Sequence, residues 1–299
     1  MNAPASPAAL HARVSTSSVT ALESKLRRHV DGQVLFDPFT RGRYSTDASI
    51  YQIEPIGVVV PRTEEAAYAA LQIAEEEQVP ILPRGAGTSQ CGQSVGAALI
   101  IDNSKYLNQV LAVDAQAQEA IVQPGIVLDR LNAQLKSHEL WYPVDVSTSA
   151  QATLGGMAGN NSCGSRSIRY GNMVHNVLGI EAWLPGNREF WFGPAEQLSH
   201  GTSEYQSLVA EIHAIVQREI GEIDARWPKV LRRVQGYNLD MVRPGTPHNL
   251  AHLLVGSEGT LAYFKRLRLK LARIPRHKVL GVCHFPTFNQ SMESAQHIV

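Results

Sequence analysis

Pro83-Arg84-Gly85-Ala86-Gly87-Thr88-Ser89-Gln90-Cys91-Gly92-Gln93 follows the apolar run Val79-Pro80-Ile81-Leu82, which reads as the end of a buried strand. Three glycines, a threonine and a serine in this stretch make a loop rich in backbone N–H groups and hydroxyls. A missing Cβ lets the backbone come close to a ligand. Successive N–H groups pointing one way form an anion-binding concavity, and its natural guest is a pyrophosphate. Two common phosphate motifs fail on spacing. A P-loop ends in Gly-Lys-Ser/Thr, a triplet this chain lacks. The G-x-G-x-x-G fingerprint fits at Gly85 and Gly87 but meets Gln90 at its last position. The loop also leads to Ala97–Asp102, which reads as a strand and not as a long helix. Taken alone, it fits a phosphate cradle and a structural turn equally well.

Working outward, Thr20–Val30 reads as a short amphipathic helix, and Tyr44–Asp47 as the start of an irregular segment. Gly57–Pro61 is a short buried strand. Thr63 is a plausible N-cap, with Glu64 and Glu65 placed where the helix dipole favours acids. Ala67, Ala70, Leu71 and Ala74 fall at helical spacing. The chain as far as about residue 105 is thus strand, helix, strand, loop and strand. Val110–Val113 and Ala120–Val122 then read as a hairpin, and Val127, Leu128, Leu131 and Leu135 as a helix after Gly125. Asn176–Leu184 is strand-like and ends at the turn Pro185-Gly186-Asn187. Leu208–Ile220 reads as a helix with Ile212, Ile215, Val216 and Ile220 on one side. Leu253–Val255 and Leu261–Leu271 read as strands around Gly256-Ser257-Glu258-Gly259. No internal repeat is visible. The pattern predicts an α+β fold, with a lead-in over residues 1–19 and α/β subdomains over 20–105 and 106–272.

A second loop, Ser147–Gly171, carries five glycines, two asparagines and many hydroxyls. Its residues have little intrinsic helix or strand preference, so something must compensate for the entropy of ordering it. A large polar ligand would do so. A plain linker fits poorly, because Leu154, Met157, Ile168 and Tyr170 interrupt the segment regularly.

Four motifs in order then point one way: Pro83–Ser89, Leu154-Gly155-Gly156-Met157-Ala158-Gly159-Asn160, Tyr170-Gly171 and Gly256-Ser257-Glu258-Gly259-Thr260-Leu261. Together they resemble the FAD-binding domain of the FAD-linked oxidases, the vanillyl-alcohol oxidase or PCMH-type superfamily. The resemblance runs from about Tyr44 to Leu271. Tyr44-Ser45-Thr46-Asp47-Ala48-Ser49 and Arg233–Asp240 look most like D-lactate and D-2-hydroxyglutarate dehydrogenases, especially large bacterial proteins that join this domain to a C-terminal iron–sulfur domain. The resemblance implies an enzyme that oxidises a D-2-hydroxy acid by hydride transfer to FAD. It also implies contact roles. Pro83, Arg84, Gly85, Ala86, Gly87, Thr88, Ser89 and Gln90 would wrap the pyrophosphate. Pro143, Ser147, Thr153, Gly155, Gly156, Asn160 and Ser162 would lie along the ribityl chain and the isoalloxazine. Gly179 and Ile180 would meet the adenine end, and Glu258 and Gly259 would close the site. Residues 83–93 lack the histidine, and Asn172 replaces the cysteine, through which some members attach the cofactor; FAD is therefore expected to be non-covalent. The alternatives are a non-catalytic nucleotide-binding subunit and a flavin reductase-like relative acting on another substrate.

Composition bounds the rest. Lys+Arg and Asp+Glu are both 27 in 299 residues, with 44% hydrophobic and 18% charged residues. That suits a globular chain with a real core, and no basic excess exists to neutralise nucleic-acid phosphates. The basic alternation Lys265–Lys270 reads as one solvated face of a strand. Cys91, Cys163 and Cys283 form no CxxC, so this chain has no iron–sulfur signature, and a cluster could sit only in a C-terminal part beyond it. Cys91 and Cys163, near the expected flavin, read as small loop fillers. The cysteine count and the want of a long apolar run suggest a cytoplasmic protein, at most peripheral to the inner membrane. His248 and His252 have i,i+4 spacing, but Asn249 stands where a zincin needs glutamate, so no metal is expected. Arg166 and Arg169 read as surface ion pairs or substrate contacts, and Tyr237-Asn238 as a helix start or an approach to the flavin. Residues 273–299 look like the start of a substrate-binding cap domain, with a strand over Val279–Val282 and a helix over Phe285–Val299. The chain is thus expected to be a piece of a longer oxidoreductase, inactive alone, with its catalytic base elsewhere.

Overall fold

The structure is a computed structural model and describes residues 16–234 and 236–298. Its first sheet has the order β1-β2-β4-β3, from β1 (Gly32–Leu35), β2 (Gly57–Pro61), β3 (Ile81–Arg84) and β4 (Leu99–Asp102). β1 runs antiparallel to β2, whereas β4 is parallel to both β2 and β3. Three helices accompany it: α1 (Thr16–His29), α2 (Pro38–Tyr44) and α3 (Glu64–Glu76). Leu22, Leu26, Ala67, Ala70 and Ala74 pack on one face against Val59, Leu99 and Ile101. Val58, Val60 and Ile100 on the other face meet Leu35, Tyr44, Leu82 and Tyr106. Burial on both faces explains why these strands read as unbroken apolar runs.

The second sheet is antiparallel, in the order β5-β6-β10-β8-β9. Its strands are β5 (Val110–Asp114), β6 (Glu119–Val122), β8 (Val177–Leu184), β9 (Arg188–Phe192) and β10 (Tyr263–Lys270); β7 (Leu140–Trp141) pairs separately with β11 (Ala272–Arg273). The β5–β6 turn is made by Asp114, whose Oδ1 accepts from the N–H groups of Gln116 and Ala117 at 2.9 and 2.8 Å. The accompanying helices are α4 (Leu128–Leu135), α5 (Leu154–Gly159), α6 (Ser167–Tyr170), α7 (Met173–Asn176), α8 (Ser203–Arg218), α9 (Ile220–Arg226), α10 (Ala251–Leu254) and α11 (Phe288–Ile298). Leu131, Leu135, Tyr142, Leu154, Met157, Phe192, Leu267 and Leu269 form its core.

The two sheets are tied together at named points. Trp183 and Tyr263 of the second sheet lie in the first core, with their rings stacked at 5.5 Å. Arg266 donates to both oxygens of buried Glu64, at 3.0 and 2.6 Å, and Gln123 donates to the same carboxylate at 2.9 Å. The basic face of β10 is therefore paired, not merely solvated: Lys265 meets Glu181 and Glu189, and Arg268 meets Glu119.

Several elements depart from their expected form. α1 starts at Thr16, inside the expected lead-in; residues 1–15 lie outside the described residues. β1 and α2 fill the stretch between the expected helix and Tyr44, for which the sequence reading gives no element. α2 has a local signal in Asp37, which accepts from Thr40 N–H at 2.9 Å, followed by Pro38 at the first helical position. Leu253–Val255 is not a strand but the end of α10 and its cap. All three residues are buried, and a short apolar run has no periodicity to tell the two apart. α8 begins at Ser203 on its Thr202 cap and ends before Ile220, which opens α9. Val279–Val282 forms no strand: Val279 and Leu280 are 96% and 88% exposed, and a strand needs a partner for its backbone groups. The expected terminal helix is α11, starting at Phe288; Val299 lies outside the described residues.

Candidate functional site

The loop after β3 is shaped by Arg84. Its guanidinium is buried and donates to Tyr44 O and Ser94 O, each at 2.9 Å, and to Thr46 O at 2.6 Å. Tyr44 Oη in turn donates to Asp102 Oδ2 at 2.6 Å. Burial, with Asp102 beside it, pushes the Tyr44 phenol well above its ordinary range and keeps it a neutral donor. Ala48 N–H donates to Gly87 O at 3.1 Å, and Ser94 Oγ to Asp47 Oδ2 at 2.9 Å. Arg84 thus brings backbone to the site and spends its charge on the loop's own frame. Gly87 has φ +68°, and a Cβ there would lie 2.6 Å from Arg84 Nη2. Both the conformation and the space require glycine.

Among the described residues, the N–H groups of Gly85, Ala86, Gly87, Thr88 and Ser89 have no acceptor within the chain. These residues are half-buried or exposed, so their donors are open to a ligand, and a diphosphate offers the acceptors such a run satisfies.

The second loop meets the first here. A Cβ on Gly85 would lie 2.0 Å from Thr153 Oγ1, and Asn160 Nδ2 donates to Ser89 Oγ at 3.4 Å. The segment is not irregular throughout. Leu154–Gly159 is the short helix α5, anchored by Leu154 N–H to Ile126 O and Gly155 N–H to Pro124 O. Tertiary packing of buried Leu154, Met157 and Ala158 overrides the poor propensity of its glycines. Gly159 is buried in the cleft wall, yet a Cβ built on it meets nothing within 4 Å. The space beside it is the cleft itself.

The cleft holds about 1030 Å³, its open mouth included, and lies between elements of both sheets. Of the expected contact residues, Pro83 to Ser89, Thr153, Gly155, Gly156, Asn160, Ser162, Glu258 and Gly259 line it. Gln90, Pro143, Ser147, Gly179 and Ile180 do not. Gly179 and Ile180 are buried in β8, where a Cβ on Gly179 would lie 2.1 Å from the Trp191 ring. Gln90 and Ser147 are exposed, whereas Pro143 is buried. The wall also includes Gln93, Ser94, Asn103, Pro124, Met157 and Phe264, which the sequence reading missed. Pro124-Gly125 was the available signal: a Cβ on Gly125 would strike Asn103 O at 2.0 Å, which marks a close crossing of backbones. Glu258 sits at φ +53°, its N–H donating to Gly159 O at 3.0 Å. Burial pushes its carboxyl above the usual range, tempered by Gln93.

The other candidates lie elsewhere. Arg166 stacks over the Trp141 ring at 4.8 Å and Arg169 over Tyr170 at 5.5 Å. Asn238 is buried and donates to His252 O and Val255 O at 3.1 and 2.8 Å, so it holds backbone. Tyr237 Oη shares a hydrogen bond with Thr260. Cys163 Sγ accepts from Arg232 at 3.0 Å, and Cys91 is exposed. No described helix is long and apolar enough to cross a membrane.

Residues 55–192 match the family model of the FAD binding domain. The chain is 32% identical over 274 residues to the D-2-hydroxyglutarate dehydrogenase of Pseudomonas putida, covering 88% of this chain and 27% of that protein. It is 32% identical to the Escherichia coli enzyme of the same name, covering 85% and 26%. It is 29% identical to the mitochondrial D-lactate dehydrogenase (cytochrome) of Arabidopsis thaliana, covering 81% and 34%. The chain therefore spans about a quarter of the length of the first two. A solved alkyldihydroxyacetonephosphate synthase superposes with a TM-score of 0.67 at 20% identity, covering 93% of this chain and 45% of that one. The mixed helix-and-sheet fold is thus shared with that synthase.

Proposed function

We propose that this chain, whose residues 55–192 match the family model of the FAD binding domain, is the flavin-holding part of an oxidoreductase acting on a D-2-hydroxy acid of the D-2-hydroxyglutarate or D-lactate type. The observation that carries the cofactor reading is the run of unpaired amides from Gly85 to Ser89 in the wall of a cleft that has open space beside Gly159. The substrate class rests on the names of the relatives, which share most of this chain.

When bound, FAD supplies the acceptor for the hydride leaving the substrate's α-carbon. The chain's own residues bind and orient it. The Gly85–Ser89 amides take the diphosphate oxygens, and the Thr88 and Ser89 hydroxyls add donors. Asn160 and Ser162 serve the flavin end. Glu258 and Gly259 bound the cleft on the side of β10, and Phe264 and Met157 give it apolar walls that exclude water. The first loop holds no histidine and Asn172 follows Gly171, so the flavin is held without a covalent bond.

Two measurements test this. The chain mixed with FAD and passed over a desalting column should keep the flavin spectrum, and acid precipitation should release all yellow colour to the supernatant. Colour that stays with the pellet refutes the non-covalent reading. In the full-length protein, a D-2-hydroxy acid should bleach the flavin anaerobically and its L-enantiomer should not. FAD binding without bleaching by any such acid makes this a binding subunit, and no FAD binding ends both readings.

A further inference from the structure

Sequence spacing pairs His248 with His252, but the fold pairs His248 with His213. His213 lies on α8, and His248 lies in the turn before α10. That turn is held in place by Ala195 N–H, which donates to His248 O at 2.9 Å, and by the Pro194–Asn249 bridge. The two Nε2 atoms are 2.9 Å apart, with ring centroids 4.9 Å apart and ring planes at 71°. The other nitrogen of His248, Nδ1, is 2.7 Å from Thr246 O. A carbonyl can only accept, so Nδ1 carries the hydrogen, and a neutral ring then presents a bare lone pair at Nε2. The result is two imidazole nitrogens from separate elements brought within 2.9 Å of each other, one ring with its far nitrogen fixed by a backbone carbonyl. That second hydrogen bond is the arrangement that orients metal-ligating histidines.

We propose that His213 and His248 form a binding site for one divalent transition-metal ion of the zinc class, with water filling its other positions. Imidazole nitrogens bind zinc at about 2.0–2.1 Å, so two ligands at a near-tetrahedral angle stand about 3.3 Å apart. The pair needs to open by only a few tenths of an ångström. Among the described residues no third His, Cys, Asp or Glu completes a cluster, so the site is open and weaker than a structural zinc site. Both rings are part-buried, which leaves solvent access for the ion. Neither lines the flavin cleft, so the site stands whether or not the flavin reading holds. The competing explanation is a plain Nε2–H···Nε2 hydrogen bond that staples α8 to the turn.

The test is a titration of the whole chain, stripped with a chelator, with zinc chloride against a competing metal-binding dye. Wild type should take up one equivalent. His213→Gln and His248→Gln should each weaken that equivalent at least tenfold, and His138→Gln, an exposed histidine elsewhere, should leave it unchanged. Wild type binding no more tightly than His213→Gln overturns the proposal. Should either variant fail to fold, NMR of 15N-histidine wild type decides. Zinc should move the Nε2 resonances of His213 and His248 while Nδ1 of His248 stays protonated. Zinc that moves neither overturns the site.

Discussion

Arg84 and Gly159 show how a single residue can serve a ligand without touching it by a charged or polar group. The Arg84 guanidinium gathers Tyr44 O, Thr46 O and Ser94 O, which frames the loop that lines the cleft. Arg84→Met strands three carbonyls. It should cost about 2–3 kcal/mol of stability by urea unfolding and weaken FAD at least tenfold in a fluorescence titration. Arg84→Lys separates geometry from charge. A lysine keeps the positive charge but lacks the planar fork, so it should behave like the methionine variant. Full rescue of FAD affinity by lysine would mean that Arg84 acts on the phosphates through its charge. Gly159→Ala is the opposite experiment. Nothing lies within 4 Å of the new Cβ, and alanine gains about 0.5–1 kcal/mol over glycine in a helix. The cofactor-free chain should therefore become slightly more stable while FAD binding falls. A variant that gains stability and binds FAD as well as wild type would show that the ligand does not reach Gly159.

At the scale of elements, legibility followed periodicity and capping chemistry. α3 was readable because Thr63 caps it, Oγ1 accepting from Ala66 N–H at 3.1 Å, and because alanines recur on its inner face. The strand after Ala97 was readable as a buried apolar run, and with it the failure of the Rossmann pattern. The glycine motifs marked most of the cleft wall. α5 and α10 were not readable, since each is too short for a period and is held by distant groups: Pro124 O and Ile126 O for α5, Asn238 for α10. The Gly179–Ile180 contact was carried over from a resemblance, and β8 packs that backbone against Trp191. α10 has a further property no sequence pattern announces. Burial, with His175 and His248 nearby, pushes His252 down to about 4 from 6.5. A histidine depressed in the folded state contributes stability that is complete above about pH 6.5 and is lost as pH falls towards 4. The amount is up to about 3 kcal/mol. Denaturant unfolding in steps from pH 7.5 to 4.5 should show this slope, and His252→Gln, which cannot titrate, should flatten it. An equal slope in wild type and variant would place the acid sensitivity elsewhere, with His213, which is shifted in the same direction, the next group to test.

For the molecule as a whole, the cleft is a joint. Pro83–Ser89 and Asn103 come from the first sheet's connections; Pro124, the α5 segment and Phe264 come from the second. A ligand spanning both must be sensitive to how the sheets are held together, even where the fastening is remote. The fastening is Glu64 on α3, 7% exposed, which receives Arg266 of β10 and Gln123 after β6. Beside it, Tyr263 Oη donates to Asn103 Oδ1, and Asn103 lines the cleft. Glu64 and Arg266 do not line it. Glu64→Gln keeps the shape and removes the charge, leaving Arg266 half-exposed and partly unpaired. Because water still reaches that guanidinium, the cost should be about 1–2 kcal/mol, below the value for a wholly buried pair. The informative quantity is the response to FAD. Saturating cofactor stabilises the folded state in proportion to the logarithm of its concentration over its dissociation constant. If the sheets must be registered to form the cleft, Glu64→Gln lowers FAD affinity as well as intrinsic stability, and the gain in Tm on adding FAD shrinks. If the variant loses stability but shows the wild-type gain in Tm, the cleft is fixed by the loops alone and the two sheets act independently of it.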